Sequence, residues 1–448
     1  MTETRPPAGG TPDGPRDTAA GPVSPGERIT TLDTLRGVAV LGILVMNIYA
    51  FAMPFAAYSN PLIMGGLEWY NLGTWFVTHL LFDQKFMTIF SMLFGAGIVL
   101  MAGRAEAKGA GFAAIFYRRQ LWLLLIGAAH AYLIWFGDIL FHYALVGMLL
   151  YPLRHRAPRT LIVIACLMLP VAPVMNVAGA GYIEQEQAVA RAYQERLDAG
   201  ETLTADESAR LEAAQAMRAF IAPTEEDVRQ DLQAYRGGYA DILGHRVPTV
   251  LSMQLPGTIA FIIWRVGGLM LIGMALMKLG VLSGQQSSGF YRRMLLIGYG
   301  LGLPLAAFSG WNLYQHEFDG LYAFRVGMIP NYLASILVAF GHIGLVIGIV
   351  RSRILPRIMD RFAAVGRMAL TNYLMHSLIL TSVFYGYGLG LYGTIPRFWQ
   401  MGFVVAVIGL QLWLSPIWLR HFRFGPVEWL WRSLTYWRRQ PFRYASDS

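Results

Sequence analysis

Runs of about twenty apolar residues recur along this chain, and each is long enough to cross the hydrocarbon core of a bilayer as a helix. Of the 448 residues, 55% are hydrophobic and only 14% are charged. Because backbone groups in lipid must be satisfied internally, such runs predict an all-α polytopic membrane protein. The composition excludes an ordinary soluble enzyme.

The charges between these runs predict which of them cross. Residues 67–82 are apolar but short, and if they crossed, the loop with Arg104 and Arg119 would fall outside, against the positive-inside rule. We therefore expect 67–82 to form a re-entrant or interfacial helix, with both termini in the cytoplasm. The ten full spans expected are 33–53, 86–103, 119–136, 138–154, 160–178, 257–280, 291–309, 328–350, 364–385 and 398–419.

Composition outside the spans predicts five regions. Residues 1–27 are rich in Pro, Gly, Thr and Ala and read as a disordered cytoplasmic tail. The net charge of +9 sits mainly in short loops and the C-terminal tail, so topology explains it and no nucleic-acid partner is expected. The remaining regions are an N-terminal transmembrane half at 28–178, an extracytoplasmic helical loop at 179–248, a C-terminal transmembrane half at 249–436 and a basic cytoplasmic tail at 437–448.

Polar side chains inside the spans are costly and therefore mark candidate sites. Arg265, near the middle of its span, must meet a partner: a structural ion pair with Asp83 or Asp138 is one interpretation, and an anion clamp for phosphate or carboxylate is the other. Residues expected to bind substrate are Asp33, Arg36, Asp83, Lys85, Arg265, Arg367 and Asn372.

Asp138 and His142 lie four residues apart, which places them on one helix face. An Asp that orients a His is the arrangement that general-base catalysis needs. The alternative is that Asp138 merely satisfies His142 structurally, and His130 on the preceding helix fits either interpretation. The sequence has neither a metal-binding His spacing nor a Cys cluster, so no metal site is expected.

Several motifs carry a resemblance to a known family. The pattern Leu32-Asp33-x-Leu35-Arg36-Gly37-x-Ala39 resembles the first helix of the transmembrane acyltransferase superfamily, and within it the YeiB-like bacterial membrane proteins that end in "domain of unknown function 418". The resemblance covers nearly all of the chain from Arg28 to Tyr436. Further matching stretches are 82–86 with 90–95, 137–140 with 143–144, 366–374 and 425–432.

The resemblance implies an integral acyl- or acetyltransferase of the bacterial inner membrane. Such an enzyme takes its acyl group from cytoplasmic acyl-CoA or acetyl-CoA, holds no bound cofactor, and modifies an acceptor in or across the membrane. Many members carry a His base at the end of the first-helix motif, where this chain has Asn47. An amide cannot take a proton at neutral pH, although it can orient a substrate or bind an oxyanion. The base would then be His79, His130 or His142.

Two functions follow from these observations. The first is acyl transfer, with His142, Asp138 and Asn47 as expected catalytic residues and with Arg36, Arg367 and Arg432 as a basic rim for the donor. The alternative is a non-catalytic transporter, carrier or export component that binds a lipid or small amphiphile in the same cavity. In either case we expect the intramembrane polar residues to converge on one cavity in two tiers. The expected partners are the lipid bilayer and an acyl-CoA, with a homodimer left open.

Overall fold

The computed structural model describes residues 29–64, 66–107 and 111–444, and every regular element in these ranges is helical. The expected tail at 1–27 and the last four residues of the basic tail lie outside the described residues. The α-helices are α1 (Thr30–Ala52), α2 (Trp69–Leu81), α3 (Lys85–Ala107), α4 (Ala113–Leu133), α5 (Leu140–Leu150), α6 (Pro158–Met168), α7 (Val171–Asp198), α8 (Ala205–Ile221), α9 (Glu225–Arg236), α10 (Tyr239–Ser252), α11 (Ile263–Lys278), α12 (Ser288–Gln315), α13 (Gly320–Tyr322), α14 (Ile329–Ser352), α15 (Pro356–Arg367), α16 (Ala369–Phe384), α17 (Arg397–His421) and α18 (Pro426–Tyr436).

Six helical segments of the described chain are long and apolar enough to cross a membrane. They confirm the all-α fold class and make the chain a multi-pass membrane protein, whereas the count of ten spans stays a prediction. The six segments are Thr30–Ala52, Trp69–Ala107, Pro158–Asp198, Ser288–Gln315, Ile329–Ser352 and Arg397–His421.

The segment that was expected to cross only partly is the 13-residue helix α2. At 1.5 Å per residue, such a helix is about 20 Å long, which is less than the hydrocarbon thickness. A turn at residues 82–84 separates it from α3, and Gln84 in that turn has a positive φ of 63°. The turn places Asp83 and Lys85 inside the bundle, where both are buried.

The expected span 364–385 is two helices, α15 and α16, which break at Met368. The reason is a distant carboxylate: Glu428 accepts the N–H groups of Leu370 and Thr371 at 2.7 and 3.0 Å. These first-turn donors need an external partner at a helix start, and Glu428 supplies it. The break therefore fixes α18 against the start of α16.

Helix α1 is the central helix of the bundle and approaches α15 very closely. A Cβ on Gly37 would collide with the carbonyl oxygen of Phe362, and one on Gly366 would collide with that of Asp33. Small residues at such crossings let helix backbones approach each other in membranes. This crossing brings the end of α15, with Arg367, next to the first turns of α1.

The expected outer loop is helical, as predicted, but its boundary at 178–179 is not visible because α7 continues unbroken to Asp198. Capping boxes are present at the starts of α8 and α9, formed by Thr204 with Glu207 and by Thr224 with Asp227. A bidentate pair between Arg210 and Glu186, with N–O distances of 2.7 and 2.8 Å, joins α8 to α7.

Candidate functional site

A cavity of about 240 Å³ lies where α1 begins, α3 ends and α4 begins, and α15, α16 and α18 enclose it further. The polar residues that line it are Asp33, Arg36, Arg104, Arg119, Gln120, Tyr143, Arg367, Tyr373, Glu428 and Arg432. The expected basic rim of Arg36, Arg367 and Arg432 is thus assembled in one place. Arg104 and Arg119 join it.

Five arginines and two carboxylates line the cavity, so its lining carries a net charge of +3. Asp33 accepts from Arg36 at 2.9 Å. Glu428 caps α16 and also accepts from the hydroxyl of Thr371 at 2.5 Å, so both of its oxygens are engaged at the start of α16. Burial raises the pKa of the Glu428 carboxyl, and its hydrogen bonds with Thr371 and Leu370 oppose that shift.

The arginines from α4 and α18 are held by aromatic rings. The Arg119 guanidinium lies 3.5 Å over the ring of Trp431, whose Nε1 donates to the Arg119 carbonyl at 2.9 Å. Arg432 lies 4.7 Å over Phe424. Burial lowers the pKa of Arg432, and the positive charge of Arg36 acts in the same direction. A bound anion is the partner that would offset this crowding of positive charge.

The walls beyond the arginines are largely apolar, with Phe90, Leu93 and Phe94 of α3 on one side. Leu140 of α5 and Tyr373 of α16, which pack in one apolar cluster, line the part of the cavity that we call its deep end. The hydroxyl of Tyr373 accepts from the N–H of Ile139 at 3.3 Å and donates to the carbonyl of Gly137 at 3.2 Å. The cavity therefore suits an amphiphile with an anionic head and an apolar tail.

A buried row of three side chains lies beyond this deep end. Nδ1 of His130 is 2.8 Å from a carboxylate oxygen of Asp138, and its Nε2 is 2.8 Å from the hydroxyl of Ser377. Their exposed fractions are 2%, 5% and 0%. The second oxygen of Asp138 accepts the N–H of Phe141 at 2.8 Å, which fixes the carboxylate.

The expected pairing of Asp138 with His142 is corrected by this geometry. Nδ1 of His142 meets only the backbone carbonyl of Asp138, at 3.3 Å, and its Nε2 lies 3.4 Å from the carbonyl of Met253. Asp138 precedes α5, so the four-residue helical spacing does not apply to its side chain. The carboxylate turns toward α4 and orients His130 instead.

The outer polar residues form a separate network. Asn331 donates to Asp83 at 2.7 Å and accepts from Lys85 at 2.5 Å. Lys85 also donates to the carbonyl of His79 at 2.5 Å, and the imidazole of His79 lies 3.3 Å from the carboxylate of Asp83. The amide of Asn331 thus links the two charged groups.

Arg265 is fully buried and lies near that network. Among the described residues, no carboxylate lies within ion-pair distance of its guanidinium. It donates to Ser335 at 2.8 Å and Thr88 at 3.3 Å, and it lies 4.1 Å over the ring of Tyr332. The proposed ion pair with Asp83 or Asp138 is therefore not what holds it. Its Nε and Nη1 have no partner in the described part of the chain.

Two other expected site residues lie apart from the cavity. Asn47 is half-buried on α1, and it does not line the cavity. Asn372 is buried and donates to the carbonyl of Val365 and the hydroxyl of Ser415, each at 3.1 Å. Of the ten residues proposed for catalysis or binding, the cavity holds Asp33, Arg36 and Arg367. The sequence predicts one cavity lined by two tiers of polar residues. The structure instead has a charged cavity and, apart from it, separate networks of buried polar side chains.

Sequence reasoning missed two kinds of site residue. Arg104 and Arg119 were interpreted as loop charges that set topology, although both reach the cavity. Ser377 was not singled out, yet it lies one turn beyond Tyr373 on the same face of α16. In the described residues, no group of three or more His, Cys, Asp or Glu is placed to hold a metal ion.

Comparisons with known proteins identify the family. Residues 276–438 match the family model "Protein of unknown function (DUF418)". The chain is 35% identical to the "Uncharacterized protein YeiB" of Escherichia coli (strain K12), over 91% of this chain and 96% of that protein. It is 31% identical to the "Uncharacterized protein YxaH" of Bacillus subtilis (strain 168), over 94% of this chain and 97% of that protein. No solved structure matches the chain. The protein belongs to the YeiB-like family, whose C-terminal part is the DUF418 domain.

Proposed function

We propose that the protein is an integral membrane acyltransferase that takes an acyl group from a cytoplasmic acyl-CoA. The observation that carries the proposal is the cavity, which joins five arginines at one end to apolar and aromatic walls at the other. An acyl-CoA has the matching chemistry, because its phosphates need cationic partners and its acyl chain needs an apolar surface. Arginine suits phosphate because its planar fork donates two hydrogen bonds at once.

The base in this proposal is His130. It lies next to Tyr373, with ring centroids 5.4 Å apart, and Tyr373 forms part of the deep end of the cavity. The carboxylate of Asp138 fixes the orientation of its imidazole. A base held by a carboxylate next to the apolar end of the cavity is suitably placed for a thioester whose phosphates lie among the arginines.

The orientation follows from the charges. The arginines of the cavity occupy the end of the bundle that the positive-inside rule assigns to the cytoplasm. A donor made in the cytoplasm would then enter between α1, α4 and α18. With this orientation the chain is a multi-pass protein of the bacterial inner membrane, with both termini in the cytoplasm.

Ligand-dependent thermal stability tests the proposal. A ligand that binds only the folded state raises its stability, by about 2.7 kcal/mol at a concentration of 100 Kd. We expect acetyl-CoA and a long-chain acyl-CoA to raise the unfolding temperature of the purified protein, and a fatty acid without the nucleotide to have little effect. Salt should weaken the effect because it screens the contacts to phosphate.

A matched pair of variants sharpens the test. Replacing Arg119 and Arg432 together by Gln should weaken acyl-CoA binding by about tenfold or more, because each removes a charge-assisted hydrogen bond. Arg420→Gln is the control, since Arg420 is exposed at the end of α17 and does not line the cavity. Equal binding by both variants, or no stabilisation of the wild-type protein by any acyl-CoA, would contradict the proposal.

The carrier hypothesis stays the second candidate because the half-buried Asn47 stands where the resemblance to the acyltransferase superfamily would place a His base. A carrier and an enzyme differ in the effect of His130→Ala. An enzyme loses acyl transfer and keeps acyl-CoA binding, whereas a carrier has no turnover to lose. Assay of purified protein in lipid vesicles with radiolabelled acyl-CoA and hydroxyl-bearing acceptors separates the two.

A further inference from the structure

We propose that Ser377 is a nucleophile that carries the acyl group covalently between donor and acceptor, with His130 as its base and Asp138 as a positioning residue. This inference rests on the proposed acyltransferase function and adds an acyl-enzyme intermediate to it. The three side chains come from three elements: Ser377 from α16, His130 from α4 and Asp138 from the turn before α5. A hydroxyl, an imidazole and a carboxylate in this order form a Ser-His-Asp arrangement, which is recognised by geometry and not by chain position.

The hydrogen-bond directions fit a serine that can lose its proton. A carboxylate only accepts hydrogen bonds, so the proton between Asp138 and His130 belongs to Nδ1 of the imidazole. In a neutral ring, Nε2 is then the acceptor, and the hydroxyl of Ser377 donates to it at 2.8 Å. This is the tautomer that a general base needs before it removes a proton from a serine.

The hydroxyl of Ser377 also differs from those of Ser91 and Ser382, two other helical serines of this protein. Serines inside membrane helices commonly donate to the carbonyl four residues earlier. Ser91 and Ser382 do so, at 2.8 Å from Met87 and 2.7 Å from Leu378. In the described residues Ser377 makes no such bond to Tyr373, and its partner is His130. Its proton therefore points toward the base.

The site continues directly from the cavity. Helix α16 contributes Leu370 and Tyr373 to the cavity, and Ser377 follows one turn later on the same face. The ring of Tyr373 separates the cavity from the row of three side chains. Because the contacts of its hydroxyl, 3.3 and 3.2 Å from Ile139 and Gly137, are long hydrogen bonds, rotation of Tyr373 is the movement that would admit the thioester.

The chemistry balances without a metal or redox partner. The oxygen of Ser377 attacks the thioester carbonyl carbon, the C–S bond breaks as the C–O bond forms, and the serine proton passes through Nε2 of His130 to the departing thiolate. In the second step an acceptor hydroxyl or amine attacks the resulting ester. Its proton passes through Nε2 back to the oxygen of Ser377, and the acylated acceptor leaves.

Intact-protein mass spectrometry tests the inference. The purified full-length protein is incubated with acyl-CoA in the absence of acceptor, denatured, and weighed, and peptide mapping locates the adduct. We expect one acyl group on Ser377 in the wild-type protein and none in Ser377→Ala. The rate of acylation should fall by about 10²–10⁴-fold in His130→Ala, the usual range for loss of a general base. Ser377→Cys should restore an adduct, now as a thioester that neutral hydroxylamine cleaves.

The control variant is Ser382→Ala, because Ser382 lies on the same helix but is exposed and bonded to its own backbone. It should acylate like the wild type. All variants are first tested for stabilisation by acyl-CoA, which reports binding and folding separately from covalent chemistry. Stabilisation without an adduct in the wild type, or an adduct that persists in Ser377→Ala, would overturn the covalent step and leave the acyltransferase proposal standing.

A serine-directed fluorophosphonate with an alkyl tail separates the remaining cases. It should label Ser377 in the wild type and fail to label His130→Ala, since it needs an activated hydroxyl but no CoA. Labelling without any stabilisation by acyl-CoA would support the nucleophile and reject the proposed donor. Absence of labelling, together with absence of an adduct, would reject the nucleophile.

Discussion

The imidazole of His130 lies 2.8 Å from the carboxylate of Asp138, eight residues further along the chain. Helices α4 and α5 cross closely enough to allow this, because Gly127 leaves room for the Asp138 carboxylate and the backbone of Phe141. A side chain at position 127 would press on both groups. The pair therefore depends on a helix crossing and not on spacing within one helix.

Replacing Asp138 by Asn tests what this contact does for acyl transfer. The amide can donate to the ring and stabilise the wrong tautomer, so we expect transfer to fall by about 10²-fold or more while acyl-CoA binding is kept. His142→Ala is the matched control, because in the described residues the ring nitrogens of His142 lie near backbone carbonyls and not near a carboxylate. Greater loss in His142→Ala than in Asp138→Asn would restore the original assignment.

The network around Asn331 predicts a stability effect independent of function. Asn331→Leu removes the amide that links Asp83 and Lys85, both less than 3% exposed. Asp83 and Lys85 each keep a contact with His79 but lose the hydrogen bond to the amide, and a buried polar group deprived of such a partner costs about 1–3 kcal/mol, more where it is charged. The double variant Asp83→Asn with Lys85→Met removes both charges and should be the more stable of the two. Thermal unfolding in detergent measures the difference, and an unchanged midpoint for Asn331→Leu would show that the charges find other partners.

The sequence predicted those features of the fold that the lengths of the apolar runs and the charges of the loops determine. Apolar runs dictate helices in a bilayer, and the short run at 67–82 does form a short helix. The break at Met368 was not predictable, since it depends on Glu428, which lies 58 residues from Leu370 in the chain. The unbroken extension of α7 was not predictable either, because the change from apolar to charged residues marks where a helix would leave the membrane and not where the helix ends.

The sequence predicted those site residues that lie at the ends of membrane spans. Asp33, Arg36 and Arg367 share the cavity because charges at the ends of spans gather on one side of the bundle. The sequence named His130 as compatible with either interpretation of Asp138 but did not specify their pairing, because that contact crosses between helices. Ser377 gave no signal either, since a serine within an apolar helix most often satisfies itself on the backbone.

The crossing of α1 and α15 predicts a steric effect on the cavity. Gly366→Ala places a methyl group against the carbonyl of Asp33, so the helices must separate, and overpacking of this kind costs about 1–3 kcal/mol. Because Arg36 and Arg367 line the cavity from these two helices, acyl-CoA binding should weaken too. Gly300→Ala on α12 is the control, since a Cβ there meets nothing within 4 Å. Equal unfolding temperatures for the two variants would contradict the close crossing.

The capping box of α8 predicts a dependence on pH. The backbone N–H of Thr204 and the guanidinium of Arg196, 2.8 and 2.7 Å away, hold the pKa of the Glu207 carboxyl at about 2, against 4.5 for an ordinary Glu. Because the pKa of Glu207 is lower in the folded protein than in the unfolded chain, its ionised carboxylate stabilises the helix fully above the unfolded pKa. This stabilisation is lost as the pH falls toward the folded pKa of about 2.

Hydrogen exchange of the first turn of α8 measures this effect. Protection should be constant above pH 4.5, after correction for the intrinsic rate, and should decline at lower pH. Glu207→Gln should show weaker protection without that decline. Glu212→Gln, an exposed change on the same helix, should behave like the wild type. A decline of equal size in all three proteins would assign the acid sensitivity to another group.

The orientation in the membrane is the prediction on which the donor's route depends. Cys166 is the single cysteine of the chain, and it is exposed on α6, so Cys166→Ser gives a background free of thiols. In that background, Gly200→Cys, in the turn between α7 and α8, should react with a membrane-impermeant maleimide from outside. Lys108→Cys and Ala445→Cys, both outside the described residues, should react only after the membrane is opened.

The expected result follows from the Lys and Arg of the short loops, which favour the cytoplasmic side. If Gly200 and Ala445 were labelled from the same side, the cavity arginines would have no assigned orientation, and a cytoplasmic acyl-CoA could not be the donor argued for above.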